Sequence, residues 1–190
     1  MEDPVLRGIN NDLLSSVAAS WDQPPPESAT FQGNLSQLSE ALRPYRQHAK
    51  WVIKDPRFLL TWSVWKSVFS GCHLLASIRS PMAVAESLNR RNDMPLADGV
   101  TLWLQYNRRL LTISSQQPVA FILFDELGYS YQDRLKQLCR RCGLSYGAEV
   151  ASALQTDLIR SEARATDNKE ADQLWSTLRR EAFRQLESES

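Results

Sequence analysis

The stretch CHLLASIRSPMAVAESL, residues 72–88, decides the fold. Its apolar first half predicts a buried strand over 72–79. The pair Ser80-Pro81 then predicts a helix from Pro81 to about Arg91, because proline favours the first turn of a helix and serine is a good cap. A strand, a tight turn and a helix form the repeating unit of parallel α/β sheets.

The same alternation extends in both directions from this stretch. Two further strands are predicted, one over 50–54, where Asp55-Pro56 closes an apolar run, and one over 118–124. Helical patterns cover 5–19, 34–47, 58–70, 98–115 and 129–142, and amphipathic helix continues from 148, interrupted by a polar stretch near 163–168. We predict one α/β domain over 1–190, with a helical region at 1–49, an α/β core at 50–145 and a helical tail at 146–190.

Composition excludes several classes of protein. The chain has 22 basic and 22 acidic residues, so no global positive field is present to hold a nucleic acid or an anionic membrane surface. The first residues are acidic, and no apolar run approaches a membrane span. Cys139 and Cys142 form the only close cysteine pair, with no second pair or nearby histidine to complete a metal site. We therefore expect a cytoplasmic protein without a metal and without nucleic-acid or membrane partners.

Arg79 and Ser87 are candidate ligands for an anion. Arg79 follows a predicted strand, and ligands in open α/β sheets bind beyond the carboxyl ends of strands, near helix amino termini. Ser87 lies seven residues after Ser80, almost two helical turns, so the two serines share one helix face. The alternative is that Arg79 is a solvated strand-end residue, Ser80 only a cap and Ser87 an ordinary surface residue.

Lys54 and Asp55 are a second candidate pair, again just after a predicted strand. A lysine there could contact a phosphate or sulfate oxygen, and an aspartate could accept a hydroxyl proton. The alternative is a salt-bridged turn in which Asp55 caps the following helix and Lys54 and Arg57 are solvated.

Three segments together resemble the bacterial and tyrosylprotein sulfotransferases. They are residues 51–58 (WVIKDPRF), 74–88 (LLASIRSPMAVAESL) and 102–108 (LWLQYNR). Residues 124–127 (FDEL) are similar to a Tyr-Glu-Asp-Leu motif of the family, with the acidic pair inverted. The resemblance covers roughly residues 1–145 and implies a three-layer sheet of the P-loop type, flanked by helices.

The resemblance also implies an activity. Arg79 and Ser87 match the pair that grips the 3′-phosphate of the donor 3′-phosphoadenosine 5′-phosphosulfate. Lys54 matches the lysine that stabilises the transferring sulfuryl group, and Asp55 is a candidate base. The full-length form would transfer the sulfuryl group to a hydroxyl or amine on a small-molecule, glycan or peptide acceptor.

One part of the family's site has no counterpart in this sequence. The seven glycines form no phosphate loop of the kind that holds the 5′-phosphosulfate, so the first strand of the sheet is expected to be missing. We therefore expect little turnover from this chain alone and self-association through an exposed sheet edge. The alternative function is a non-catalytic relic, a nucleotide-binding or interaction module.

Overall fold

The structure, a computed structural model, describes residues 2–124, 129–148 and 164–188. It divides into two compact units, Met1–Cys72 and His73–Ser190. The division falls inside the region 50–145 that the sequence predicts as one α/β core. Within the described ranges, no helix combines the length and the apolar character needed to cross a membrane.

The amino-terminal unit is helical. It contains α1 (Pro4–Ser15), α2 (Leu35–Arg46) and α3 (Phe58–Trp65). Helix α1 begins where the Asp3 carboxylate accepts hydrogen bonds from the N–H groups of Val5 and Leu6, both at 2.9 Å. The helices enclose a core formed by one set of buried apolar side chains: Leu6, Leu13, Leu38, Leu42, Val64, Trp65 and Phe69.

The strand predicted over 50–54 is wrong. Residues 51–55 have no regular secondary structure, and the only sheet among the described residues lies elsewhere. Trp51 and Ile53 pack against the helical core of this unit, whereas Val52 between them is 78% exposed. This alternation resembles a strand, but here it arises from packing against helices, without hydrogen bonds to a neighbouring strand.

The carboxy-terminal unit holds the sheet. Its elements are β1 (Leu74–Ile78), α4 (Pro81–Asn92), α5 (Leu96–Gln116), β2 (Val119–Leu123), α6 (Tyr129–Arg141) and α7 (Lys169–Ser188). The two strands are parallel, with Leu74 opposite Val119 and Ile78 opposite Leu123. Every residue of β2 is buried.

Helix α4 follows β1 as predicted, with Ser80 in an extended conformation at the N-cap and Pro81 in the first helical position. Helix α5 packs closely on α4. A Cβ atom at Gly99 would lie 2.8 Å from the Cα of Ala85, so only glycine allows this approach. The two helices therefore pack as a close pair directly after β1.

The mixed α/β class, the parallel pairing and the helical carboxy terminus are confirmed. Helix α3 is shorter than predicted, since 66–71 form turns. Residues 164–168 are irregular, in agreement with the predicted polar interruption, whereas 149–163 lie outside the described residues. The three-layer sheet of the P-loop type remains a prediction.

Candidate functional site

Arg79 stands at the junction between β1 and α4. Its guanidinium carbon lies 4.9 Å from the centre of the Phe124 ring, which follows β2 directly. The N–H of Phe124 donates to the carbonyl of Ile78 at 2.8 Å, so the carboxyl ends of the two strands are tied together. The aromatic ring thus supports the guanidinium by a cation–π contact at the rim of the sheet.

Trp103 fixes the backbone of the same junction. Its indole N–H donates to the carbonyl of Arg79 at 2.9 Å, and its side chain is almost completely buried in α5. This hydrogen bond is partly buried, so it favours one conformation of the turn, because breaking it would leave the buried indole N–H without a partner. Arg79 therefore has a fixed backbone as well as a supported side chain.

The first turn of α4 adds backbone donors to this junction. Among the described residues, no side chain caps this helix. The N–H groups of Met82 and Ala83 lie in its first turn, where a helix offers donors and the positive end of its dipole. Ser87, half-buried, lies further along α4, just before buried Leu88. An arginine, a helix amino terminus and a hydroxyl are groups suited to a phosphate or sulfate.

Lys54 and Asp55 belong to the amino-terminal unit. The Lys54 side chain is 69% exposed, and its ammonium group bonds to Glu2 at 3.1 Å. The Asp55 side chain is only 2% exposed, and Oδ1 accepts from the N–H of Arg57 at 2.9 Å and from its guanidinium at 3.0 Å. These contacts form a salt-bridged turn, as the alternative predicts, but the Arg57 side chain is mostly buried and is not solvated, and no side-chain cap of α3 is present among the described residues.

A buried polar network holds the other oxygen of Asp55. The side-chain amide of Asn10, which is fully buried in α1, donates to Oδ2 of Asp55 at 3.0 Å. The Asn10 carbonyl oxygen accepts from the Thr61 hydroxyl and the Trp65 indole, both at 2.8 Å. Because both its oxygens are occupied by protein donors, Asp55 connects α1 to α3 and is poorly placed to take a proton from an acceptor.

The start of α1 is held by ionised groups. Burial acts against the charge of Glu2, but hydrogen bonds from Arg57 and Lys54 outweigh it and lower the pKa of the carboxyl. A hydrogen bond from the Tyr45 hydroxyl at 2.5 Å lowers the pKa of Asp3. Burial together with Asp3 raises the pKa of Tyr45 to about 12. These contacts attach the beginning of α1 to α2 and to the turn at Arg57.

Sequence reasoning missed the residues that position these groups. Asn10 breaks an apolar helix face between Leu6 and Leu13, and that break is the signal that points to a buried polar contact. No pattern in the sequence indicated that Phe124 and Trp103 contact Arg79. Residues 125–127 of the acidic motif lie outside the described residues. Within the described ranges, no group of three or more His, Cys, Asp or Glu side chains is arranged to hold a metal.

The chain was compared with protein-family models, curated proteins and solved structures, and none of the three comparisons found a match.

Proposed function

We propose that the carboxy-terminal unit binds the 3′-phosphate of a 3′-phosphoadenosine nucleotide, with Arg79 as the principal ligand. The observation that carries the proposal is the position of Arg79, at the carboxyl end of β1 and directly before the amino terminus of α4. Ser87 is the second ligand. The proposed nucleotide is 3′-phosphoadenosine 5′-phosphosulfate, the sulfuryl donor implied by the resemblance.

The physical basis of the proposal is local charge. The chain has no net charge, so an anion is attracted only where cations and oriented dipoles are concentrated. Arg79 supplies two parallel donors to a phosphate, and the first turn of α4 adds backbone N–H groups. The Phe124 ring restricts the guanidinium before the ligand arrives, which reduces the entropy lost on binding.

Sulfuryl transfer is the reaction we propose for a form that also holds the 5′-phosphosulfate. The 190 residues contain no glycine-rich phosphate loop, so donor binding is the activity assigned to this chain by itself. Lys54, which the resemblance matches to the lysine that stabilises the transferring group, lies in the amino-terminal unit and is not part of the binding site proposed for the carboxy-terminal unit. For Asp55 we propose a positioning role, through Asn10 and Arg57, in place of general-base catalysis.

Isothermal titration calorimetry tests the binding proposal. We expect 3′-phosphoadenosine 5′-phosphate to bind more tightly than adenosine 5′-phosphate, because only the former carries the 3′-phosphate. Arg79→Ala should weaken binding of the bisphosphate by about tenfold or more, the effect of losing a charge-assisted hydrogen bond. The affinity for adenosine 5′-phosphate should change little.

Arg184→Ala is the matched control. It removes the same charge from an exposed side chain of α7 in the same unit. Its neighbour Gln185 bonds to Val119, at the amino end of β2, whereas Arg79 lies at the carboxyl end of the sheet. The control should bind like wild type. Equal affinity for the two nucleotides, or equal losses in the two variants, would remove the 3′-phosphate site.

A further inference from the structure

The two outer edges of the sheet differ in whether side chains bond to the strand backbone. On β2, the Gln185 side chain acts as a short substitute strand: its carbonyl oxygen accepts from the N–H of Phe121 at 3.0 Å, and its amide donates to the carbonyl of Val119 at 3.0 Å. Buried Arg134 donates to the Phe121 carbonyl at 2.9 Å. These bonds close the outer edge of β2 with side chains of α6 and α7.

The outer edge of β1 has no such cover. The N–H of Phe124 bonds to the carbonyl of Ile78, and this bond fixes the hydrogen-bonding pattern of the parallel pair. Leu74, Ala76 and Ile78 face β2 in this pattern. The backbone groups of Leu75 and Ser77 therefore point away from β2. Both residues are exposed, and Leu75 is 56% exposed. In the described part of the chain, no backbone or side chain bonds to these outward groups of Leu75 and Ser77.

This edge also lacks the devices that normally prevent pairing. Protected edges carry lysine, proline or a bulge, whereas residues 74–78 read LLASI, without a charge or a proline, and pair with β2 in an unbroken register. The protein has no net charge that would keep copies apart. An uncharged, exposed strand edge accepts another strand.

We propose that the outer edge of β1 pairs antiparallel with β1 of a second copy of this chain, about a two-fold axis at Ala76. In this register Leu75 lies opposite Ser77 of the second copy, and Ser77 lies opposite its Leu75. Residues directly opposite each other in such a pair exchange both N–H···O bonds. The two pairs therefore give four bonds, and every outward backbone group of Leu75 and Ser77 is used.

A second copy fits the edge better than an unrelated strand. Leu75 and Ser77 are placed symmetrically about Ala76, so two copies of the same edge are self-complementary and the assembly closes as a dimer. The ladder ends after these residues, because the carbonyl of Arg79 already accepts from Trp103. Four bonds over a short contact give a weak dimer, whose fraction rises with concentration.

Sedimentation velocity across a concentration range tests the proposal. Wild-type protein should shift from monomer towards dimer and no further. Leu75→Pro should shift the equilibrium towards monomer, because proline removes a donor that faces solvent in the monomer. Leu75→Ala is the matched control, since it removes the exposed side chain and keeps the N–H, and it should still dimerise.

A pair of charge variants tests the register without altering the backbone. Leu75→Lys with Ser77→Lys places like charges opposite each other across the two-fold axis and should stay monomeric. Leu75→Lys with Ser77→Glu places opposite charges there and should dimerise. A wild-type protein that is monomeric at every soluble concentration, assembly beyond a dimer, or equal dimerisation of the two double variants would each overturn the proposal, whether or not Leu75→Pro folds.

Discussion

At the scale of single residues, Asn10 determines how the amino-terminal unit is held together. It lies on the apolar face of α1 and is completely buried, yet three side chains of the segment 55–65 bond to it. Those partners are Asp55, Thr61 and Trp65. A buried polar group is tolerated only when its hydrogen bonds are made, so this network specifies which face of α1 meets α3.

Asn10→Ala should lower the free energy of unfolding by about 3 kcal/mol, because it leaves several buried polar groups without partners. The measurement is chemical denaturation followed by tryptophan fluorescence. Asn11→Ala is the control, since Asn11 is exposed on the same helix and its truncation should change stability by less than about 0.5 kcal/mol. If the two variants were equally stable, the network would contribute nothing.

Residue types near the site were predictable from sequence, but their partners were not. Arg79 and Ser80-Pro81 are consecutive, so their place at a strand-to-helix junction follows from local rules alone. The contact between Arg79 and Phe124 joins residues 45 positions apart, and nothing in the spacing indicates it. Asp55 shows the same limit: its Oδ2 accepts from Asn10, which is far away in the sequence.

At the scale of elements, strand prediction succeeded where apolar runs were followed by turn or helix signals and a partner strand existed. Residues 74–78 and 119–123 pair with each other, whereas 50–54 carry a similar apolar pattern but pack against helices through Trp51 and Ile53. Periodicity reports which side chains are buried and does not report what buries them. Hydrogen bonding between strands is therefore the part that the sequence left undetermined.

Helix α7 contributes an element-scale contact that its amphipathic pattern did not reveal. Gln185 bonds to the backbone of β2 through both of its amide atoms. Gln185→Leu keeps the size of the side chain and removes these bonds, so we expect a loss of about 2 kcal/mol in unfolding free energy and faster hydrogen exchange at the Phe121 amide.

Gln173→Leu is the matched control for this change, because Gln173 lies on the same helix and is exposed. It should leave both the unfolding free energy and the exchange of Phe121 near wild-type values. Unchanged protection of the Phe121 amide in Gln185→Leu would mean that the side chain does not act as a substitute strand.

At the scale of the whole molecule, the candidate residues are divided between two units. Lys54 and Asp55 belong to a charged cluster that holds α1, and Arg79 and Ser87 belong to the junction after β1. Acidic and basic residues are equal in number, so neither function nor stability depends on a large net charge at neutral pH. We expect ionised groups that have specific partners, such as Glu2 and Asp3, to govern the response to pH.

The contacts of Glu2 and Asp3 predict that stability falls in acid. Both carboxyls have a pKa below their ordinary values of 4.5 and 3.8, because Arg57, Lys54 and Tyr45 bond to the charged forms. A carboxyl whose pKa is lower in the folded state stabilises the fold when it is ionised. This stabilisation is complete above the ordinary pKa and is lost as the pH falls through the lowered pKa. Thermal melting from pH 7 downwards should show the midpoint falling mainly below about pH 4.5.

Glu2→Gln combined with Asp3→Asn should make the melting midpoint depend less on pH. At pH 7 the variant should melt at a lower temperature than wild type, and at pH 3 the two melting midpoints should lie closer together. The control combines Asp12→Asn with Glu27→Gln, which removes the same two charges from exposed positions. Because that pair leaves Arg57, Lys54 and Tyr45 with their partners, its melting curve should keep the wild-type slope against pH. If the control flattened the curve as much as the test variant, the acid response would reflect the total number of carboxylates and the contacts at the start of α1 would not govern it.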